Sequence, residues 1–277
     1  QLQWVPEAAE FVNVPSLRTC MVDPDGALWT YTFNYRGDLL DERVRLSRDG
    51  SYRVAVTRRE FDAHGHLTAL TLPDGSRTEW TYDTGNDDPR ARANLVRVEQ
   101  RAGGLLPVAS RVVLRALHEP TYQQPRELTY ETGVKVRLRY DLDLGLGTRG
   151  ELREVHWPDA TLPDATHQPA VTRYQYDERG QVIRQTSPVG RAQTFEYEPV
   201  GTPLAGFLRA EIGDPDGAHL VTAMDYDAAG HLSSRTAPGG ATWRYTHNAL
   251  GLIESIEPPE VDGEAAPTRY EYDWHQR

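Results

Sequence analysis

One spacing governs this chain. Three stretches superimpose: FDAHGHLTALTLPDGSRTEWTYD from Phe61, YDERGQVIRQTSPVGRAQTFEYE from Tyr176 and YDAAGHLSSRTAPGGATWRYTH from Tyr226. From opening to closing aromatic (Phe61 to Tyr82, Tyr176 to Tyr197, Tyr226 to Tyr245) they span 21, 21 and 19 positions. A period near twenty residues marks a repeat architecture, in which each unit buries its apolar face only against its neighbours. Weaker copies fill the gaps. FNYRGDL begins at Phe33, YDLDLGLGTRGEL at Tyr140 with a longer loop, and THNALGLI at Thr246. YDTGNDDPRARANL, from Tyr82, carries an insertion where the turn belongs, and HEPTYQQPREL, from His118, replaces the turn with two prolines.

Within a copy the apolar period is two, with aromatic and β-branched residues at alternate positions. Examples are Trp29/Tyr31/Phe33/Tyr35, Val134/Val136/Leu138/Tyr140, Phe195/Tyr197 and Tyr270/Tyr272/Trp274. That pattern predicts strands. The only helix signal is Pro6 to Phe11, which allows one short turn in a lead-in over residues 1–19.

Two turn signatures punctuate the strands. One reads Asp-x-x-Gly: Asp62 to Gly65, Asp177 to Gly180, Asp227 to Gly230. The other reads x-Pro-x-Gly, as in Asp23 to Gly26, Leu72-Pro73 to Gly75, Ser187-Pro188 to Gly190, Asp214 to Gly217 and Ala237-Pro238 to Gly240. Both satisfy one geometry: Asp suits the first position of a type I turn, Pro the second, and Gly the left-handed residue that closes it. Across such a turn Phe61 faces Leu67, Tyr176 faces Val182 and Tyr226 faces Leu232, which pairs an aromatic with an aliphatic side chain. Counting from Val182 through the Pro188 turn then puts Phe195 and Tyr197 on the wrong face. Each copy therefore needs one extra, bulged residue, whose position the sequence does not mark.

Each copy supplies two strands, which gives an all-β, antiparallel meander of about sixteen to eighteen strands over residues 20–277. Open sheets of more than about ten strands curl, so the strip is expected to spiral into a partial shell. At about 4.8 Å per strand the ribbon is roughly 80 to 90 Å wide, less than a sealed container needs.

YDERGQVIRQTSPVG and YDAAGHLSSRTAPGG resemble the YD repeat of the RHS (rearrangement hot spot) family, and EPTYQQP resembles the family's variant unit. The resemblance covers essentially residues 20–277. It implies a β-strip wound into a hollow shell, as in bacterial polymorphic toxins, insecticidal toxin-complex cocoon subunits and teneurins, often around a toxic C-terminal domain. The expected partners are further RHS repeats or a cargo domain of the same parent protein. The expected location is secreted or cell-surface, through a specialised route. The family's cleavage region has no counterpart here: both Asp-Pro-Asp-Gly stretches are followed by Ala and sit where a turn belongs, so no autoprotease residues are carried over. The chain begins without methionine and stops as another unit opens, and is read as a piece of something longer.

Nothing in the sequence calls for catalysis or a cofactor. The carboxylates of Asp-x-x-Gly are accounted for by the turn. His64 and His66 flank a turn glycine and lack a third ligand nearby in sequence, whereas zinc needs three or four. Cys20 is the only cysteine, so no intrachain disulfide forms, and no activating neighbour adjoins it. A formal charge of −11 over 277 residues argues against nucleic-acid binding. There is no apolar run long enough to span a bilayer and no signal-peptide pattern at the start. The aromatics suit a structural ladder. The alternative is a carbohydrate- or cell-surface-binding module that uses them, or the loops at 83–94 and 142–150, as a contact surface.

Overall fold

In a computed structural model the protein is described over residues 12–48, 51–104, 109–161, 167–260 and 266–272. The proposed turn at Pro6 to Phe11 lies outside the described residues. The chain divides into two compact units, residues 1–137 and 138–277.

In the first unit β1 (Leu17–Val22), β2 (Leu28–Phe33), β3 (Leu39–Arg48), β4 (Ser51–Phe61) and β5 (Leu67–Thr71) follow one another. β6 (Arg77–Tyr82), β7 (Leu95–Arg101), β8 (Arg111–His118), β9 (Pro125–Tyr130) and the start of β10 (Lys135–Tyr140) complete it. Each strand pairs antiparallel with the next. The second unit holds the end of β10, a one-turn helix α1 (Asp141–Leu144), β11 (Leu152–Thr161), β12 (His167–Tyr176), β13 (Val182–Thr186) and β14 (Ala192–Tyr197). It continues with β15 (Leu208–Gly213), β16 (Leu220–Tyr226), β17 (Leu232–Thr236), β18 (Thr242–His247), β19 (Ile253–Glu257) and the short β20 (Thr268–Arg269). From β11 onward these also pair antiparallel in sequence order. In neither unit does a described pairing join first strand to last. The meander is as expected, with twenty described strands rather than sixteen to eighteen, because the atypical copies keep the two-strand beat. No helix among the described residues is long and apolar enough to cross a membrane.

Buried apolar side chains among the described residues are mostly small: Ala69, Ala116, Val98 and Val136 in the first unit, Ala210, Val155, Val171 and Ile212 in the second. With so thin a core, cross-strand pairs and turn hydrogen bonds take a larger share of the specification. Tyr35 and Val134, read as strand residues, fall in turns and are exposed, and Tyr270 and Tyr272 lie past the end of β20. Trp274 lies outside the described residues. β1 starts at Leu17, Val12 is buried, and the Asn13 amide pairs with both the N–H (2.8 Å) and the C=O (2.9 Å) of Phe61.

Candidate functional site

The candidate site is the repeat framework itself. At Asp177 the backbone N–H donates to the Gln181 carbonyl (2.9 Å) and Gly180 N–H donates back to Asp177 (3.1 Å). At Ser187 the same two bonds run to Arg191 (2.8 Å) and from Gly190 (2.9 Å). Gly180 and Gly190 both have φ of +80°, where an L side chain is strained. The two turn signatures are therefore one object, as their residues suggested. Asp adds its carboxylate: Asp177 Oδ1 accepts from the N–H groups of Arg179 and Gln181, both at 2.9 Å. Asp62 and Asp227 repeat this with Gly65 and Gly230, while Gly75 and Gly240 close the Pro73 and Pro238 turns.

The turn at Asp214 does not conform. Gly217 is not left-handed; the positive φ values fall on Asp214 (48°) and His219 (49°). Gly213 pairs with Leu220, so the loop has one more residue than an ordinary turn, such as that between Thr186 and Ala192, and its corners move to its ends. Gly217 is instead crowded by the Asp214 carboxylate, which a Cβ there would meet at 2.5 Å.

The expected cross-strand pairs are present: Phe61 with Leu67, Tyr176 with Val182, Tyr226 with Leu232. So is the required bulge, one residue beyond the aliphatic partner. Gln175 pairs with Arg184 while Tyr176 pairs with Val182, which leaves Ile183 extra. Thr68 and Ser233 occupy the same place in their copies, and so do Leu40, Val96, Arg126, Arg209 and Glu254. The added residue reverses the phase and brings Phe195 and Tyr197 onto the face of Tyr176.

That phase has a purpose. The Tyr197 hydroxyl donates to the Val182 carbonyl at 2.8 Å, and Val182 faces the aromatic of the preceding copy. Tyr82 donates to Leu67 (3.0 Å), Tyr176 to Leu152 (2.7 Å), Tyr226 to Leu208 (2.8 Å) and Tyr272 to Ile253 (2.8 Å) in the same way. Each of these five tyrosines thus clips its hairpin to the one before. Burial pushes the hydroxyls of Tyr82, Tyr176, Tyr197 and Tyr226 above the ordinary tyrosine value, and the turn carboxylates Asp62 and Asp177 add to this at Tyr82 and Tyr197.

Sequence reasoning missed several members. Tyr197 opens a copy of its own: Glu198 N–H donates to Phe207 (2.7 Å), Gly206 has φ of +90°, and Leu208 faces Tyr197. In the third copy the closing position is His247, not Tyr245. His247 pairs with Ile253 beside the bulge, whereas Tyr245 pairs with Ile256 inside the ladder. A strict 21-residue count from Tyr226 would have found it. In the His118 copy the prolines do not do the work of the missing turn. Buried Glu119 takes the Asp role, accepting from Thr121 (2.7 Å), Tyr122 (2.8 Å) and Gln124 (3.0 Å), and Gln123 takes the left-handed corner.

In the copy opened by Tyr140 the loop is long, yet Asp141 N–H still donates to Glu151 (2.8 Å) and Gly150 is still left-handed (φ +75°). Asp141 is fully buried and its carboxylate accepts from Leu142, Arg149 and Gly150. A shallow recess beside it is lined by Arg149, Glu151, Arg153 and Tyr176, where Arg153 pairs with Glu151 at 2.6 Å and lies over the Tyr176 ring.

The histidines fall into place on the same frame. His66 Nδ1 lies 2.9 Å from Asp62 Oδ2 and its ring stacks on Tyr82 at 4.8 Å; among the described residues His64 joins no metal-capable group. His231 repeats the arrangement with Asp227 (3.1 Å), and its ring stacks on His247 at 4.8 Å. Cys20 is exposed on β1, 3.6 Å from the Thr30 hydroxyl.

A meander of hairpins held by a recurrent aromatic, acidic residue and glycine defines a YD-type repeat protein. The RHS repeat model matches residues 61–86 and 226–257. The probable deoxyribonuclease RhsB of Dickeya dadantii (strain 3937) is 31% identical over 159 residues, which is 48% of this chain and 10% of that protein. Two crystal structures share the fold. The TcdB2–TccC3–Cdc42 structure matches at a TM-score of 0.50 and 15% identity, over 90% of this chain. TcdB2–TccC3 without its hypervariable C-terminal region matches at 0.51 and 14%, over 91%. This chain spans about a tenth of the length of RhsB and 15% of each solved chain. The segments 61–86 and 226–257 are thus repeats of the RHS type, and the rest of the chain carries the same hairpin frame.

Proposed function

We propose that this chain is a non-catalytic stretch of shell wall, in a longer RHS-type protein that encloses or presents a toxin or effector domain and reaches the outside of the cell by a specialised route. The observation that carries the reading is the recurrence of one clip, a tyrosine hydroxyl on the previous hairpin's carbonyl, in both units. A wall gains from a fastening that recurs at one phase of its frame; a binding surface or active centre has no need of one. The framework tyrosines that make this bond spend their polar ends inside the sheet, which favours a ladder over a sugar-stacking surface. Strand β1 pairs only with β2 among the described strands and exposes Leu17, Met21 and Val22, an edge suited to a further repeat. The test is protease protection in the parent protein. Deleting residues 61–82, one whole course, should leave the enclosed domain open to digestion. A domain equally resistant after the deletion contradicts the proposal, as does nuclease or glycosidase turnover by this chain alone.

A further inference from the structure

Two copies place an Asp and a His in the same geometry, and differ in what lies across from them. In the first, Asp62 and His66 meet Tyr82, whose hydroxyl is committed to the Leu67 carbonyl. In the other, Asp227 and His231 meet His247, which stands 21 positions after Tyr226 as Tyr197 stands after Tyr176. Replacing the clip tyrosine by histidine exchanges a committed hydroxyl for an imidazole nitrogen. Among the described residues Asp227, His231 and His247 form the one group suited to hold a metal ion, with ligand atoms within 4.8 Å of one another.

The first two ligands are already set. Asp227 Oδ1 is occupied by the N–H groups of Ala229 and His231, both at 2.9 Å, which fixes the carboxylate and turns Oδ2 toward His231 Nδ1. Their separation of 3.1 Å is near the ~3.3 Å edge of a tetrahedron with metal–ligand bonds of about 2.0 Å. His231 Nε2 packs over Gly251, where a Cβ would approach it at 2.8 Å, so the ring is held from the far side by the next copy's turn. His247 needs a shift of at most roughly 1.5 Å to close the same edge length. Two imidazoles and one carboxylate suit a borderline cation such as zinc and not magnesium or calcium, which take oxygen ligands.

We propose that Asp227, His231 and His247 bind a zinc-class divalent cation, which joins the Asp227 turn to the following hairpin in place of the missing tyrosine clip. The metal takes the place of the proton shared by Asp227 and His231, which leaves to solvent, and the remaining coordination position stays open to water.

The test uses the whole chain and zinc chloride alone, by titration calorimetry near neutral pH, with magnesium chloride as control. The variants come from the chain's own repeats: His247→Tyr restores the clip of Tyr197, and His231→Gln copies Gln181. The native chain should take up one zinc and no magnesium. Each variant should fold as before and lose about tenfold or more in zinc affinity, while His66→Gln should change nothing. Cobalt in place of zinc should give visible absorption that His247→Tyr abolishes. No zinc uptake by the native chain, or equal uptake by His247→Tyr and His231→Gln, overturns the proposal.

Discussion

The loop after Tyr140 and the turn after Tyr176 reach the same closure with very different material. After Tyr176, Asp177 and Gly180 close a short turn in partial contact with solvent. After Tyr140, Asp141 and Gly150 close a loop that includes a helical turn, and the Asp carboxylate is sealed from solvent with three backbone N–H donors on it. The lesson is that the framework tolerates insertion between its acidic residue and its glycine, provided the acid takes up the N–H groups the insertion would otherwise strand.

The difference can be broken at the acid. Asp141→Ala takes the acceptor from three donors, of which the Gly150 N–H is buried, and should cost about 2–3 kcal/mol. Asp177→Ala leaves its donors near solvent and should cost about 1 kcal/mol. Urea unfolding of the two variants measures both, and equal losses would mean burial is not what separates them. Next in size is Gly180→Val. A Cβ there meets only Glu151 Oε1 at an ordinary 3.6 Å, so the expected cost of about 1–2 kcal/mol is that of the left-handed backbone. Gly217→Val, where φ is not left-handed, should be limited by the flexible Asp214 carboxylate and cost less. An unchanged melting temperature for Gly180→Val contradicts the turn.

The smallest effect is on pH. Burial works to raise the Asp62 carboxyl, but the N–H groups of His66 and His64 and the His66 ring together hold it below the usual value. At the more open Asp227 the His231 N–H is the main influence, in the same downward direction. A carboxyl depressed on folding stabilises above its unfolded value of about 4, and that gain is lost as pH falls through the lower folded value. Melting temperature should therefore hold between about pH 6 and 5 and decline below about pH 4. Asp62→Asn should flatten that decline, and an unaltered acid limb would remove Asp62 from the account.

Much of this frame was legible because turn chemistry is local. Asp177, Gly180, Pro188 and Gly190 state their roles through backbone preferences, and the pairing of Tyr176 with Val182 follows from turn length. The bulge was required by phase but unmarked, since Ile183, Thr68, Ser233 and Arg209 share no property; a bulged position constrains the backbone and leaves the side chain free. Glu119, Gln123 and Glu198 were missed because another residue filled a role expected of Asp or Gly. Asp214-Pro-Asp-Gly misled because its turn residues matched while the pairing of Gly213 with Leu220 lengthened the loop. Tyr245 is the last tyrosine of its copy, but the frame sets its closing position at residue 247, which holds a histidine.

Tyr197 and Tyr245 separate position from residue type most directly. Both are half-buried strand tyrosines, but Tyr197 donates to the Val182 carbonyl, while the Tyr245 hydroxyl has no hydrogen-bond partner among the described residues. Thermal melts of Tyr197→Phe and Tyr245→Phe should differ. The first should lose about 1 kcal/mol, a fall of roughly 2 °C for a chain of this size, and the second should match the native protein. Equal melting temperatures for the two variants, or the larger fall at Tyr245, would contradict the claim that the repeat is fastened by a tyrosine clip.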